Sequence, residues 1–453
     1  MGSLSVALLN TAQAQQTFVK ALNLVSANVS NVNTPGYATQ NPNFITQPFD
    51  PSNGLPGGSV DFGNLINTRS SYAEQAVQTR QGYLNQNQQL STDLTNLNPA
   101  FDLSSGSSIP STLSAFFNSF STLSGSPNDT TARQQVISAA SNVAQAFNSS
   151  SSQLGAAISN ANSQITQSVG AINSDVNKLL NLNVQRRASG AAENPGIDAQ
   201  VYSTLEDLSQ YVNIQTVPQT DGTVNVYLAG QTPLVVGGHA YTLTAAPGQN
   251  SAAILNASGQ DITSQVSAGQ LGGLLTERNQ LLPGYVSGLD QLAQTFADTV
   301  NGQLRQGVDS TGAAPTTDLF QYNPLFPAST LEVSGIQAGQ IAAADPSSPG
   351  GNGNALTLSQ LANATAVNGQ NFTQAFSTIA TKFGQDLSTA QANVTTGQSL
   401  LSQAQTNRQN ISGVSLDQQA VQLTQFQQAY EAAGDLFQVL NQITQTTIDL
   451  LQQ

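Results

Sequence analysis

The sequence predicts a mainly α, elongated, multi-domain chain with a β-rich outer domain, on three observations. Apolar stripes of coiled-coil type run along both ends, long stretches between them keep the helical period, and one central stretch switches to a period of two. At 453 residues the chain exceeds what one core usually serves, so two to four domains are expected.

The first stripe places Leu4, Leu8, Thr11, Gln15, Phe18, Leu22, Val25, Val29 and Val32 at alternating spacings of four and three. Thr11 and Gln15 make part of its seam polar. A helix of this kind is marginal alone in water and needs a partner. It should stop at Thr34-Pro35-Gly36, where the residue before proline is pushed out of the α region, Pro35 sets the first turn position and Gly36 can take positive φ at the second. Helical stripes follow through Tyr72, Ala76, Thr79, Tyr83, Leu90, Leu94 and Leu97. From Val136 to Leu179 an apolar series takes 12 steps over 43 residues, close to 3.6 per step, which predicts one long helix with N-cap chemistry at Asn128-Asp129-Thr130. A further helix, Leu271 to Phe296, contains Pro283, which should kink or divide it.

Between these helices, Val212 and Ile214, then Val224, Val226 and Leu228, alternate around Pro218-Gln-Thr-Asp221-Gly222, a β-hairpin signature. Leu234-Val-Val236 and Tyr241-Thr-Leu243 around Gly237-Gly238 suggest a second hairpin, and the Pro- and Gly-rich stretch 307–353 is expected to complete the β-rich unit. Helical spacing returns at Phe372, Phe376, Ile379, Phe383 and Leu387. It closes the chain with Phe426, Tyr430, Ala433, Phe437, Leu440, Thr444, Thr447 and Leu451. Two arrangements of the end stripes stay open: they pair with one another, or each packs separately on the body. An out-and-back path brings both ends together, with a terminal domain at 1–45 and 412–453, a helical core at 46–205, 268–306 and 363–411, and the outer domain at 206–267 and 307–362.

Only 8% of residues are charged, 11 Lys plus Arg against 25 Asp plus Glu. A net charge of −14 repels phosphate backbones and anionic lipid, and Arg186-Arg187 alone does not offset it, so neither nucleic acid nor a membrane surface is expected as a partner. With no Cys and one His, thiol nucleophiles, disulfides and Cys/His zinc sites are excluded. There is no run of 18 apolar residues and no basic stretch before the first apolar ones, so neither a membrane anchor nor a cleaved signal peptide is expected. His239 follows Gly238 in a predicted turn with no nucleophile motif, and reads as a surface histidine. Pro349-Gly-Gly-Asn-Gly-Asn354 lacks the lysine of a phosphate-binding loop. No catalytic, cofactor or metal residue is assigned, and no enzyme activity is expected.

The string Ser26-Ala-Asn28-Val-Ser-Asn31-Val-Asn33-Thr34-Pro35-Gly36-Tyr37 resembles the amino-terminal signature of flagellar rod, hook and hook-associated proteins, with Ala27, Val29 and Ser30 as departures. Near the other end, Ser412-Gly413-Val414-Ser415-Leu416-Asp417 and Gln427-Gln428-Ala429-Tyr430-Glu431-Ala432 are similar to the endings of the hook-associated branch, with rod and hook proteins as the runner-up. Tyr211 to Val236 and Gly269 to Arg278 share the resemblance. It implies a structural protein of the extracellular flagellum, exported through the type III apparatus without signal cleavage, that joins hook to filament by self-assembly. Its implied partners are further copies of itself, neighbouring axial proteins such as hook protein and a second junction protein, and an export chaperone at the carboxyl-terminal segment. The family turn would be Asn31, Asn33, Thr34, Pro35, Gly36 and Tyr37. Phe18, Leu22, Val25, Val29 and Val32 would form the subunit assembly seam with Leu416, Tyr430, Phe437, Leu440 and Leu451. A secreted surface adhesin, with ordered ends and an isolated ligand-binding β domain, is the rival from another class.

Overall fold

A computed structural model of the chain describes residues 2–46, 58–188 and 194–451. Helix α1, Gly2–Ser30, is followed by two short ladders: β1 (Gln40–Asn41) pairs with β4 (Ile66–Asn67), and β2 (Phe44–Thr46) with β3 (Val60–Phe62). Helices α2 (Ser71–Leu97), α3 (Ile109–Gly125), α4 (Thr130–Ala188) and α5 (Pro195–Tyr211) come next. The antiparallel sheet β5 (Ile214–Pro218), β6 (Val224–Leu228), β7 (Thr232–Val236), β8 (His239–Ala240) and the hairpin β9 (Thr244–Pro247), β10 (Ala252–Leu255) form the β region. Then follow α6 (Gly269–Thr276), a π-helical turn at Glu277–Leu281, α7 (Leu282–Leu304), β11 (Phe320–Gln321), α8 (Pro327–Thr330), β12 (Glu332–Val333), α9 (Gly353–Gln360), α10 (Phe372–Ser412) and α11 (Leu416–Leu451).

Helix α4 is the spine. Its 59 residues span about 88 Å at 1.5 Å per residue. The predicted cap is present: Asp129 Oδ1 accepts from Thr131 N at 2.7 Å, satisfying an amide the first turn leaves open. One apolar face serves two cores in succession. Val136, Ala140, Val143, Phe147 and Leu154 join α3, α7 and the first half of α10 around Phe296, whose ring lies 5.1 Å from Phe320 and 5.4 Å from Phe116 and Phe372. Ile165, Val169, Ile172, Val176 and Leu179 join α5, α6 and the inward faces of the β region, where Val224, Val226 and Leu228 are buried. At about 25 cal/mol per Å² of apolar area, this double burial holds a helix far too polar on its other faces to persist alone.

The Leu271–Phe296 helix is not divided at Pro283: the backbone stays helical from α6 into α7, and the irregularity is the turn just before the proline, Glu277–Leu281, which is wound as a π-helix. The Asp221-Gly222 turn closes β5 onto β6, with Gly222 at φ 80° and Asp221 Oδ1 accepting from Thr223 N at 3.0 Å. The second hairpin turns at Gly237-Gly238 and pairs Val236 with His239, so its return strand begins two residues earlier than Tyr241. His239 is exposed.

Residues 307–362 and 206–267, expected together in one outer domain, lie on different cores. Leu319, Phe320, Leu331, Ile336 and Ile341 insert among α3, α4 and α7. The Asn301 side chain holds them there: it accepts from Leu319 N at 3.1 Å and Phe320 N at 3.0 Å and donates to Phe320 O at 2.9 Å, replacing a neighbouring strand.

Where α4 meets α5, burial and the Asp207 carboxylate push the Asp175 carboxyl up to about 6, against a smaller opposing effect of Lys178. A raised folded-state acid binds its proton more tightly than the unfolded chain does, so stability falls as pH rises from near 4 through 6. Asp175→Asn is therefore expected to raise the melting temperature at pH 8 and leave it unchanged at pH 3.5. An equal shift at both pH values would contradict this.

Candidate functional site

Two of the strings that carried the sequence resemblance, 26–37 and 412–417, meet where α1 leaves the body. Thr34 to Tyr37 form a tight turn closed by Tyr37 N donating to Thr34 O at 3.1 Å, with Gly36 at φ 71°. A Cβ on Gly36 would stand 2.2 Å from Ala199 O and 2.8 Å from Ser203 N, so the turn is pressed against the backbone of α5 and only glycine fits. Asn31, Asn33, Thr34 and Pro35 lie on the outer side; Asn31 Nδ2 donates back to Ala27 O at 2.8 Å and its Oδ1 accepts from Thr34 Oγ1 at 3.0 Å, finishing the helix.

Arg69, just before α2, ties this turn to two helices. Its Nη2 donates to Gly36 O at 2.6 Å, its guanidinium binds Asp198 of α5 at 2.8 Å and Glu74 of α2, and it lies 3.7 Å over the ring of Tyr202. Asp198 also pairs with Arg186 at the end of α4 (2.8 Å), and Glu74 with Arg408 of α10 (3.2 Å), which reaches Glu206 at 2.7 Å. The side chains of Arg69, Glu74 and Asp198 are only 5 to 6% exposed. Burial raises the Tyr202 pKa, so its ring stays neutral beneath the guanidinium. Three passes of the chain are stitched alongside: Thr39 N donates to Ser412 O at 2.9 Å, Thr68 N to Thr39 O at 3.0 Å, and Ser412 Oγ to Thr68 O at 3.0 Å. The assembly is a joint between the body and the two chain ends.

Beyond it, α1 and α11 run side by side and antiparallel. Asn28 meets Gln419, and Gln15 meets Gly434 thirteen residues back and fifteen on. Asn28, fully buried, uses its whole amide: Nδ2 donates to Gln40 O at 2.8 Å and Gln419 Oε1 at 3.0 Å, while Oδ1 accepts from Tyr37 OH at 2.9 Å and Gln40 N at 3.1 Å. Burial raises the Tyr37 pKa, which keeps that hydroxyl a donor. The β2–β3 ladder covers the pair, with Phe44 5.8 Å from Phe426 and 6.3 Å from Phe18.

On α1, the buried positions are Thr11, Thr17, Ala21, Leu24, Val25 and Asn28. Of the anticipated seam, Val25 is buried, Phe18, Leu22 and Val32 are half-buried, and Val29 is 42% exposed. The inward face thus shares Val25 with the expected stripe but turns toward Ala21 and Asn28. The reason is close packing: an alanine and a satisfied amide let α11 and the strand at Gln40 approach. On α11, Phe437 and Leu440 are half-buried, Tyr430 and Leu416 exposed, and the Leu451 side chain lies outside the described residues.

Sequence reasoning did not find Arg69, Glu74, Asp198, Tyr202, Arg408 or Gln419, and gave no role to Asn28 and Ser412, which stand within the two resemblance strings. One signal was available: where only 8% of residues carry charge, each arginine outside a surface run is a candidate for a structural ion pair. The pairing itself, across more than 330 residues for Glu74 and Arg408, has no local signature.

Joint and arm together define a class: an elongated helical protein whose two chain ends form one antiparallel arm on a helical and β-containing body. Residues 94–320 match the family described as the flagellar hook-associated protein FlgK helical domain, and residues 8–37 match the flagella basal body rod protein family. The chain is 28% identical over 322 residues to flagellar hook-associated protein 1 of Salmonella typhimurium, a match covering 67% of this chain and 56% of that protein. It is 23% identical over 491 aligned positions to the protein of the same name from Bacillus subtilis, covering 95% of each. The chain thus spans little more than half the length of the Salmonella relative. A solved structure of the flagellar hook junction protein FlgK from Burkholderia pseudomallei has the same fold, with a TM-score of 0.67 at 18% identity, covering 75% of this chain and all of that one. This chain belongs to the flagellar hook-associated protein family of the FlgK helical domain.

Proposed function

We propose that this protein is a structural, self-assembling component of the bacterial flagellum that forms the junction between hook and filament. The carrying observation is the arm: two chain ends closed into one antiparallel pair, with a joint that fixes its direction against the body. Leu423, Tyr430, Leu436, Val439 and Ile443 remain exposed along α11, and Leu9 and Val19 along α1. In an assembled tube these surfaces are buried by neighbouring copies and by adjoining axial proteins, at about 25 cal/mol per Å² of apolar area. Export through the type III apparatus, with a chaperone covering the carboxyl-terminal helix until assembly, belongs to the same reading; the exposed apolar residues of α11 are the surface such a chaperone would cover.

Labelled antibody against the protein is expected to mark the hook-filament boundary of isolated flagella; label spread along the cell surface would favour the adhesin reading. In this reading the β5–β8 sheet is an outward elaboration. Replacing Asp221-Gly222 with Ala-Val forces a β-branched residue into positive φ, at about 1–2 kcal/mol, and removes the Thr223 bonds. Amide exchange should rise in β5 and β6 while filament number stays normal. Filament loss in a variant with an intact circular dichroism spectrum would contradict the outward placement.

A further inference from the structure

Away from the joint, the loop between β11 and α8 holds two large apolar side chains in water: Leu325 is 77% exposed and Phe326 57%. Exposed apolar residues scattered singly are ordinary, but these are adjacent and rigidly presented. Pro324 and Pro327 flank them and restrict the backbone on either side. Asn323 accepts twice, at Oδ1 from Leu325 N and at its carbonyl from Phe326 N, both at 3.0 Å. Thr330 Oγ1 accepts from Asn323 N at 2.8 Å and donates to Phe326 O at 2.6 Å. The base is pinned to α7, where Asp290 Oδ1 accepts from Ala328 N at 2.9 Å. A loop held by so many bonds is a knob already in the shape it would bind with.

The same helix carries a hole. Between α7 and α10 lies a pocket of about 290 Å³ lined by Leu281, Gly284, Tyr285 and Ile379, with Lys382 and Asp386 at its rim. Gly284 leaves it open: a Cβ there would meet nothing within 4 Å. Leu281 precedes Asp290 by nine residues, about two and a half helical turns, so hole and knob open on opposite sides of α7 and one chain does not fill its own hole. The charges match as well. Beside the knob stand Asp298, which accepts from Tyr322 OH at 2.8 Å, and Glu332, which accepts from Gln321 Nε2 at 2.7 Å, and residues 320–333 contain no cation. At the hole Lys382 pairs with Asp386, but its side chain is 60% exposed against 18% for the carboxylate, so the rim presents the ammonium.

We propose that Leu325 and Phe326 of one copy of this chain seat in the hole between α7 and α10 of the next copy. This deepens the self-assembly reading and rests on it. A knob and a hole on different faces make a head-to-tail contact, which closes into a ring or continues as a helix.

The chain has no Cys, so engineered thiols report the contact without background. Leu325→Cys and Gly284→Cys both change exposed positions, and unchanged circular dichroism confirms that each full-length variant folds. Oxidation is carried out at roughly 1 mM protein, because a contact this small belongs to the weak class. Seating brings the two Cα atoms within the roughly 4.4–6.8 Å that a disulfide spans. The expected result is a dimer when the two single variants are mixed, little from either alone, and a reducible ladder from the double variant. Adding Phe326→Ser should cut the ladder about tenfold, the effect of losing an aromatic anchor. Exchanging Leu325→Cys for Leu103→Cys, 51% exposed in the α2–α3 connection, should abolish it. No ladder, an equal ladder with Leu103→Cys, or as much dimer from a single variant alone would overturn the proposal. The readout on purified chain is separate from antibody labelling. No ladder with label at the hook-filament boundary overturns the knob alone, whereas a ladder with label elsewhere upholds the knob and contradicts the junction reading.

Discussion

Arg69→Leu is expected to destabilise the protein by about 3 kcal/mol, the largest effect of any single substitution at the joint. Breaking a buried ion pair costs about 3–5 kcal/mol because the abandoned charge stays buried. The lower end applies here, since Asp198 keeps Arg186 and Glu74 keeps Arg408. Loss of the Gly36 carbonyl bond and of the contact with Tyr202 adds to it. Arg69→Lys should recover only part, because an ammonium cannot reach two carboxylates, a carbonyl and a ring face from one position. Thermal melts check the magnitude, with a fall of roughly 3 °C for Leu. Hydrogen exchange checks the location, since the amides of Tyr37 and Thr39 should lose protection first. A melting temperature within a degree of wild type would show that the network is not what holds the joint.

Gly36→Ala should detach the arm while leaving the body folded. The left-handed backbone costs an alanine about 1 kcal/mol, and the added methyl meets two backbone atoms of α5 that cannot swing away as a side chain could. The turn must therefore lift off α5, taking the Arg69 bond with it. Limited proteolysis reads this directly: new cleavage is expected within residues 33–41, leaving a resistant fragment that holds both cores. A digestion pattern identical to wild type would mean that the turn tolerates a side chain and that its contact with α5 is loose.

How much of this was legible in the sequence follows from the range of each interaction. The long α4 helix, the Asp129 cap, the irregular turn before Pro283 and the Asp221-Gly222 turn are local, set by side-chain period and by residues that restrict their own backbone, and each lies where its pattern put it. The Thr-Pro-Gly turn was legible for the same reason. What the turn touches was not, because the neighbours of Gly36 come from residues 199 and 203. The stripe on α1 located the helix but not its inward face: Leu22 and Val29 are more apolar than Ala21 and Asn28, yet the smaller residue and the bonded amide are what permit close approach. Residues 307–362 misdirect for a similar reason. Their Pro- and Gly-rich composition reads as β-associated loop, whereas their placement is decided by Leu319 and Phe320 docking on Asn301, an event composition does not record.

The central claim is that the two chain ends act as one arm on which junction assembly depends, and Val25→Asp addresses it most directly. Val25 is 3% exposed in the inward face of α1. The substitution forfeits about 1.5–3 kcal/mol of apolar burial and places a charge whose desolvation costs several kcal/mol more. The body, with separate cores, should keep its melting transition. Filaments per cell are counted by electron microscopy in a strain carrying Val25→Asp as its sole copy, with secretion of the variant confirmed in the medium. The account predicts hooks without filaments and filament protein released to the medium; a normal number of filaments would contradict it.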